Sequence, residues 1–155
     1  SGVDPMMAIL GGLRYIKPQN PPRLSNANNM QKSDLLKHIS YIDTGKSQSS
    51  TGECVSAVLS RANSLGWEDW SQWGECTNKI KDALENNDLE SFMEQVKINH
   101  RLLVKAAVVP DKICKLIQDY EDKGYAAKVI GSGCVNSHSS SCGVVMLVSK
   151  SQVDS

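Results

Sequence analysis

Ala126-Ala127-Lys128-Val129-Ile130, then Gly131-Ser132-Gly133-Cys134-Val135-Asn136-Ser137-His138-Ser139-Ser140-Ser141-Cys142-Gly143, then Val144-Val145-Met146-Leu147-Val148 is the stretch on which the fold turns. Ala127 to Ile130 is a short β-branched run, and Val144 to Val148 is almost wholly apolar, so both read as strands. The connection between them is too long for a tight hairpin turn and is built of small residues. Backbone N–H groups in such a loop can stand close to an anion or phosphate, because glycine removes the Cβ that would keep them apart. The same composition also fits a flexible surface connection.

Upstream of this strand pair the chain is mostly helical. Thr51–Ser64 carries Val55, Val58, Leu59 and Ala62, with Leu65 beyond, at helical spacing, and Gly66 closes it. Trp67, Trp70 and Trp73 lead into Ile80, Ala83 and Leu84, a second amphipathic segment whose tryptophans are expected to pack between helices. Asp88 caps a third, with Leu89, Phe92, Met93, Val96, Leu103 and Ala107 on one face and His100 beside it as a packed, hydrogen-bonded histidine. Pro110 opens a fourth, which turns Ile113, Leu116, Ile117 and Tyr120 inward and ends at Lys123-Gly124.

Toward the start, Asp4-Pro5 begins a short helix through Leu10, Gly11-Gly12 stops it, and Leu13 to Ile16 forms a strand. Gln19 to Asp34, with Pro21-Pro22 and several asparagines, is a loop. Leu35–Asp43 is a strand in which Ile39, Tyr41 and Asp43 share a face. Strands at the ends and helices between them predict an α+β domain: an antiparallel sheet with helices on one face.

The chain has 155 residues, enough for one domain with its own core. With 17 basic and 17 acidic side chains it lacks the electrostatic footprint of a nucleic-acid binder. No apolar run approaches the roughly 20 residues that cross a bilayer, and no signal peptide heads the sequence, so neither membrane nor nucleic acid is an expected partner. Five cysteines without a C-x-x-C pair fit reduced thiols in a cytoplasmic protein. Ser1-Gly2-Val3-Asp4 stands without an initiator methionine, as in a fragment or processed product.

Four segments carry a resemblance. Ser1 to Asp4 with Leu10-Gly11-Gly12-Leu13-Arg14-Tyr15 resembles the segment holding the catalytic aspartate of mevalonate kinases. Tyr41-Ile42-Asp43-Thr44-Gly45 with Ser50-Thr51 is similar to a strand and helix entry downstream in the same enzymes. Asn99-His100-Arg101-Leu102-Leu103 resembles a late helix, and Lys128 to Leu147 resembles the last glycine-rich motif. Their order and spacing are those of the C-terminal domain of GHMP small-molecule kinases, over residues 1–150, with 151–155 as a tail.

The resemblance implies a ferredoxin-like, split βαβ domain with a four-stranded antiparallel sheet. It also implies transfer of the γ-phosphate of ATP to an alcohol such as mevalonate, a step of isoprenoid biosynthesis. Asp4 would be the catalytic base, Ser1 the hydroxyl beside it, and Thr51, Gly131, Ser132 and Gly133 the phosphate and substrate side. The lobe that holds ATP and Mg²⁺ is not in this sequence, so the domain alone is expected to be inactive and to pair with that N-terminal lobe or with itself. Phosphoryl transfer needs mainly positioning and charge stabilisation, which a carboxylate, hydroxyls and glycines can supply.

The last loop departs from the family's glycine run, since serines, Asn136 and His138 stand where glycines would. Two further readings therefore stay open. One is a non-catalytic binding or regulatory module of the same fold. The other is a metal loop through Cys134, His138 and Cys142, spaced C-x3-H-x3-C, whose thiolates and imidazole suit Zn²⁺.

Overall fold

A computed structural model describes residues 15–17, 23–25, 30–64, 70–131 and 133–153. Ser1, Asp4, the helix expected after Asp4, Gly66, Trp67 and Ser132 lie outside the described residues. In chain order the elements are strands β1 (Tyr15–Lys17) and β2 (Arg23–Ser25), 3-10 turns at Met30–Lys32 and Asp34–His38, and strand β3 (Ile39–Asp43). Helices α1 (Thr51–Ser64), α2 (Ser71–Asn86), α3 (Leu89–Lys105) and α4 (Asp111–Glu121) follow, then strands β4 (Ala126–Ile130) and β5 (Val144–Val148). The fold is α+β.

Among the described residues the main sheet has three antiparallel strands, ordered β3-β5-β4, and β1 and β2 form a separate antiparallel pair. The register places Ala126, Val148 and Ile39 in one row and Val129, Val145 and Ile42 in another. Because side chains alternate across a pleated strand, those rows face opposite sides. Ala127, Val129, Val145 and Leu147 are buried with Ile113 and Ile117 of α4. On the opposite face Ala126 and Val148 are buried with Phe92, Met93 and Val96 of α3 and Leu84 of α2. Apolar cover on one face only therefore does not describe this sheet. The second face is covered at one end, and Tyr41 farther along it is 63% exposed.

The helices begin and end on identifiable chemistry. Asp88 caps α3, its Oδ1 accepting from Ser91 N at 3.0 Å. Asn87 just before it sits at φ 52, left-handed, and closes α2. Pro110 is the residue before α4, where its missing N–H costs nothing, and the helix starts at Asp111. After Glu121 the chain turns through Gly124 at φ 89, and Tyr125 N donates to Tyr120 O at 3.1 Å. Tyr120 and Tyr125 then meet edge to face.

Four further expectations are corrected. The Gln19–Asp34 segment is not all loop, since it contains strand β2. Leu35–His38 is not strand: Ser33 caps a 3-10 turn there, accepting from Leu35 N, and only Ile39–Asp43 is extended. In α1 the inward stripe is Cys54, Val58 and Ala62, leaving Val55 52% and Leu59 53% exposed. The face turned inward is the one that packs with Trp73, Leu103, Ala106 and Val108. Ala107 is not helical: α3 ends at Lys105 and Ala107 takes φ 56. Trp73 packs against the Cys54 cluster, as the tryptophan spacing suggested, whereas Trp70 is 44% exposed.

Candidate functional site

Asp43, Ile130 and Val144 lie at one end of the sheet, since Asp43 and Ile130 both pair with Val144. The Thr44–Ser50 segment and the Gly131–Gly143 loop therefore leave from the same edge. Nearly ninety positions apart in the chain, they are joined by a hydrogen-bonded seam. Thr44 N donates to Gly143 O and Gly143 N to Gly45 O, both at 2.9 Å, which extends the β3–β5 ladder by one step. Beyond that step side chains take over. Cys142 N donates to Thr44 Oγ1 at 2.9 Å. Ser141 Oγ donates to Lys46 O at 2.8 Å and Ser47 Oγ to Gly133 O at 2.7 Å. Val135 N donates to Ser49 Oγ at 3.1 Å, and Asn136 Nδ2 to Gln48 Oε1 at 2.9 Å.

The loop is also folded on itself. His138 N donates to the Asn136 side chain at 3.1 Å and Ser141 N to Ser139 Oγ at 3.1 Å, the short-range bonds that asparagine and serine offer a turning backbone. Asp111 N donates to Ser137 O at 3.0 Å, which ties the loop to the start of α4. A loosely held surface connection does not describe this segment.

Two of its three described glycines do different work. Gly131 takes φ 102 and a Cβ there would meet nothing within 4 Å, so its backbone is open to approach from outside. Gly133 takes φ 73, and a Cβ there would stand 2.8 Å from Val108 O. That glycine lets the loop close onto the α3–α4 corner, where Cys134 N donates to Val108 O at 2.8 Å.

Thr51 is exposed at the first position of α1. The end of that helix already holds a carboxylate, because Glu53 Oε2 accepts from Ser50 N at 2.7 Å and from Ser50 Oγ at 2.8 Å. Glu53 N in turn donates to Ser50 Oγ at 3.2 Å, completing a capping box. The Ser50 backbone and hydroxyl hold the Glu53 carboxyl below the usual carboxylate range. An anion at Thr51 would thus share the helix end with Glu53.

Of the expected site residues, Gly131 and Gly133 belong to the Gly131–Gly143 loop and Thr51 directly follows the Thr44–Ser50 segment, while Asp4, Ser1 and Ser132 lie outside the described residues. The backbone at Gly131 is open and Thr51 is exposed, but the helix end beside Thr51 already holds the Glu53 carboxylate. Among the described residues no group of three or more His, Cys, Asp or Glu could hold a metal ion. The same finding removes the C-x3-H-x3-C set as a metal centre. Cys134 and Cys142 are buried in the core and His138 is exposed.

The histidines serve the fold. His38 Nδ1 lies 2.9 Å from Ser149 O, and His100 is 7% exposed with a buried Nδ1 that has no hydrogen-bond partner. Sequence reasoning missed Thr44, Ser47, Ser49 and Ser141 as the residues that join the segments. The density of hydroxyls in both segments was the signal, but their pairing follows from register, which composition does not carry. No protein-family model matches the chain, and neither the curated proteins nor the solved structures contain a match to it.

Proposed function

We propose that this chain is the C-terminal, substrate-side half of an ATP-dependent small-molecule kinase of the GHMP type, most like mevalonate kinase. The observation that carries the reading is the seam itself. Thr44–Ser50 and Gly131–Gly143, which bear two of the four segments of resemblance, meet at one end of the sheet and leave Gly131 and Thr51 accessible. In this reading the sheet gains a fourth strand and the domain is a split βαβ fold of the ferredoxin-like kind. Asp4 takes the proton of the substrate hydroxyl, and Ser1 orients that hydroxyl. Ser132 with the backbone at Gly131 and Gly133 lies on the phosphate side together with Thr51. ATP and Mg²⁺ are held by an N-terminal lobe that has no counterpart in these 155 residues, so the chain alone transfers nothing.

A second reading, a non-catalytic module on the same fold, is favoured by one feature. The loop's hydroxyls and the end of α1 are engaged by neighbours in the chain itself. Kinetics separates the two. With the residues encoded upstream of Ser1 restored, the kinase reading expects Mg²⁺-dependent transfer of phosphate from ATP to mevalonate or a related alcohol. Asp4→Asn should lower that rate by about 10² to 10⁴. A folded, extended protein that neither binds ATP in calorimetry nor phosphorylates any small alcohol would leave the binding module standing instead.

A further inference from the structure

Cys134 and Cys142 stand at the two ends of the Val135–Ser141 segment, and each is 1% exposed. Both reach one acceptor, the main-chain oxygen of Val108. Cys134 does so through its N–H at 2.8 Å and Cys142 through its thiol at 3.8 Å. The two side chains share one apolar cluster with Val129 and Val145. The Cys134 backbone and the Cys142 thiol thus meet at one corner of the chain, and Cys114 packs against the same cluster.

Access to the two thiols differs. Cys134 lines a surface pocket of about 410 Å³ together with Arg61, Ala107, Val135 and Ser137. Burial pushes its thiol pKa up, but the Ser49 hydroxyl 3.5 Å away and backbone groups at Asn136 and Gln48 outweigh burial, and the net shift is downward. Burial drives the Cys142 thiol up to about 12, with Cys134, Cys54 and Cys114 adding to the rise. The thiol beside the pocket is shifted toward ionisation, and its neighbour stays protonated in the core. That division of labour suits an attacking and a resolving cysteine.

We propose that Cys134 and Cys142 form a reversible intrachain disulfide that clamps the neck of the Gly131–Gly143 loop, with hydrogen peroxide as the oxidant. The Cys134 thiolate attacks one peroxide oxygen and the O–O bond breaks. The departing hydroxide leaves as water with the proton that Cys134 released, and Cys134 is left as a sulfenic acid. The Cys142 sulfur then attacks the Cys134 sulfur and the S–O bond breaks. The second hydroxide takes the Cys142 proton and leaves as water. Two thiols are oxidised and one peroxide is reduced to two waters. The link joins the part of the loop anchored on Ser49 to the part anchored on Thr44. It is independent of any kinase activity.

Intact-mass spectrometry tests the clamp. The protein is treated with hydrogen peroxide, denatured and alkylated. All five cysteines take up the reagent before oxidation, and two fewer should do so afterwards, with full recovery in dithiothreitol. Peptide mapping should place the link between Cys134 and Cys142. Cys142→Ser should leave a sulfenic acid on Cys134 that dimedone traps, and Cys54→Ser should form the link as before. Undiminished alkylation, a link through Cys54 or Cys114, or one between chains would each overturn the proposal.

Discussion

Gly133 and Gly131 both hold a positive φ, but a methyl group added at each would meet different surroundings. At Gly133 the new carbon collides with the Val108 carbonyl that also receives the Cys134 N–H, whereas at Gly131 it meets open space. Alanine at either position incurs the left-handed cost of about 1–2 kcal/mol. Gly133→Ala should lose a further increment of similar size, since main chain must move. Urea denaturation of the two variants should give a clearly lower midpoint for Gly133→Ala; equal midpoints would refute the close packing at that corner. His100 supports a second prediction at this scale. Burial, then the charges of Arg101 and Lys128, lower its pKa from 6.5 to about 4. The unfolded chain therefore binds the proton more readily, and stability present above about pH 6.5 declines as the pH falls toward 4. The full change is about 3 kcal/mol at about 1.4 kcal/mol per pH unit. Denaturation midpoints measured across that window should slope for the parent and lie flatter for His100→Gln.

At the scale of elements, the end of α3 shows what a sequence can and cannot disclose. Ala107 continues the apolar spacing of Leu103, so periodicity assigns it to the helix. In the fold Ala107 N donates to Val104 O at 2.8 Å and Val108 N to Leu103 O at 3.3 Å, and the helix ends in a left-handed turn. Glycine suits that turn better than alanine, so Ala107→Gly should raise stability by about 1 kcal/mol, read as a higher thermal midpoint. The caps and the last two strands were legible because their signals are local: Asp88 before α3, Pro110 before α4, and the β-branched and apolar runs of β4 and β5. The rotation of α1 was not. Val55 and Leu59 satisfy the same periodicity as Cys54, Val58 and Ala62, and the choice between stripes is made by Trp73 and Val108, distant in sequence. The candidate site was half legible. Its two segments stood out by composition, yet the seam that joins them depends on which strands become neighbours.

Across the whole molecule, the exposed pair Val55 and Leu59 lies one turn apart on α1, and Trp70 is exposed as well. In the proposed kinase such residues await a second lobe, and in isolation they favour pairing of copies. Light scattering on the isolated chain should show apparent mass rising with concentration, and Leu59→Lys should suppress the rise. A constant monomer mass in both would count against that expectation.

The central position of β5 has a consequence for how the chain is made. Its partners β3 and β4 both precede it in sequence, and neither pairs with the other. A nascent polypeptide that has emerged only as far as Gly143 therefore carries two flanking ribbons with nothing between them. The described sheet can close only when Val144–Val148 clears the ribosome, after the four described α-helices are already outside. Until that moment the exposed edges depend on chaperones or on speed of synthesis for protection.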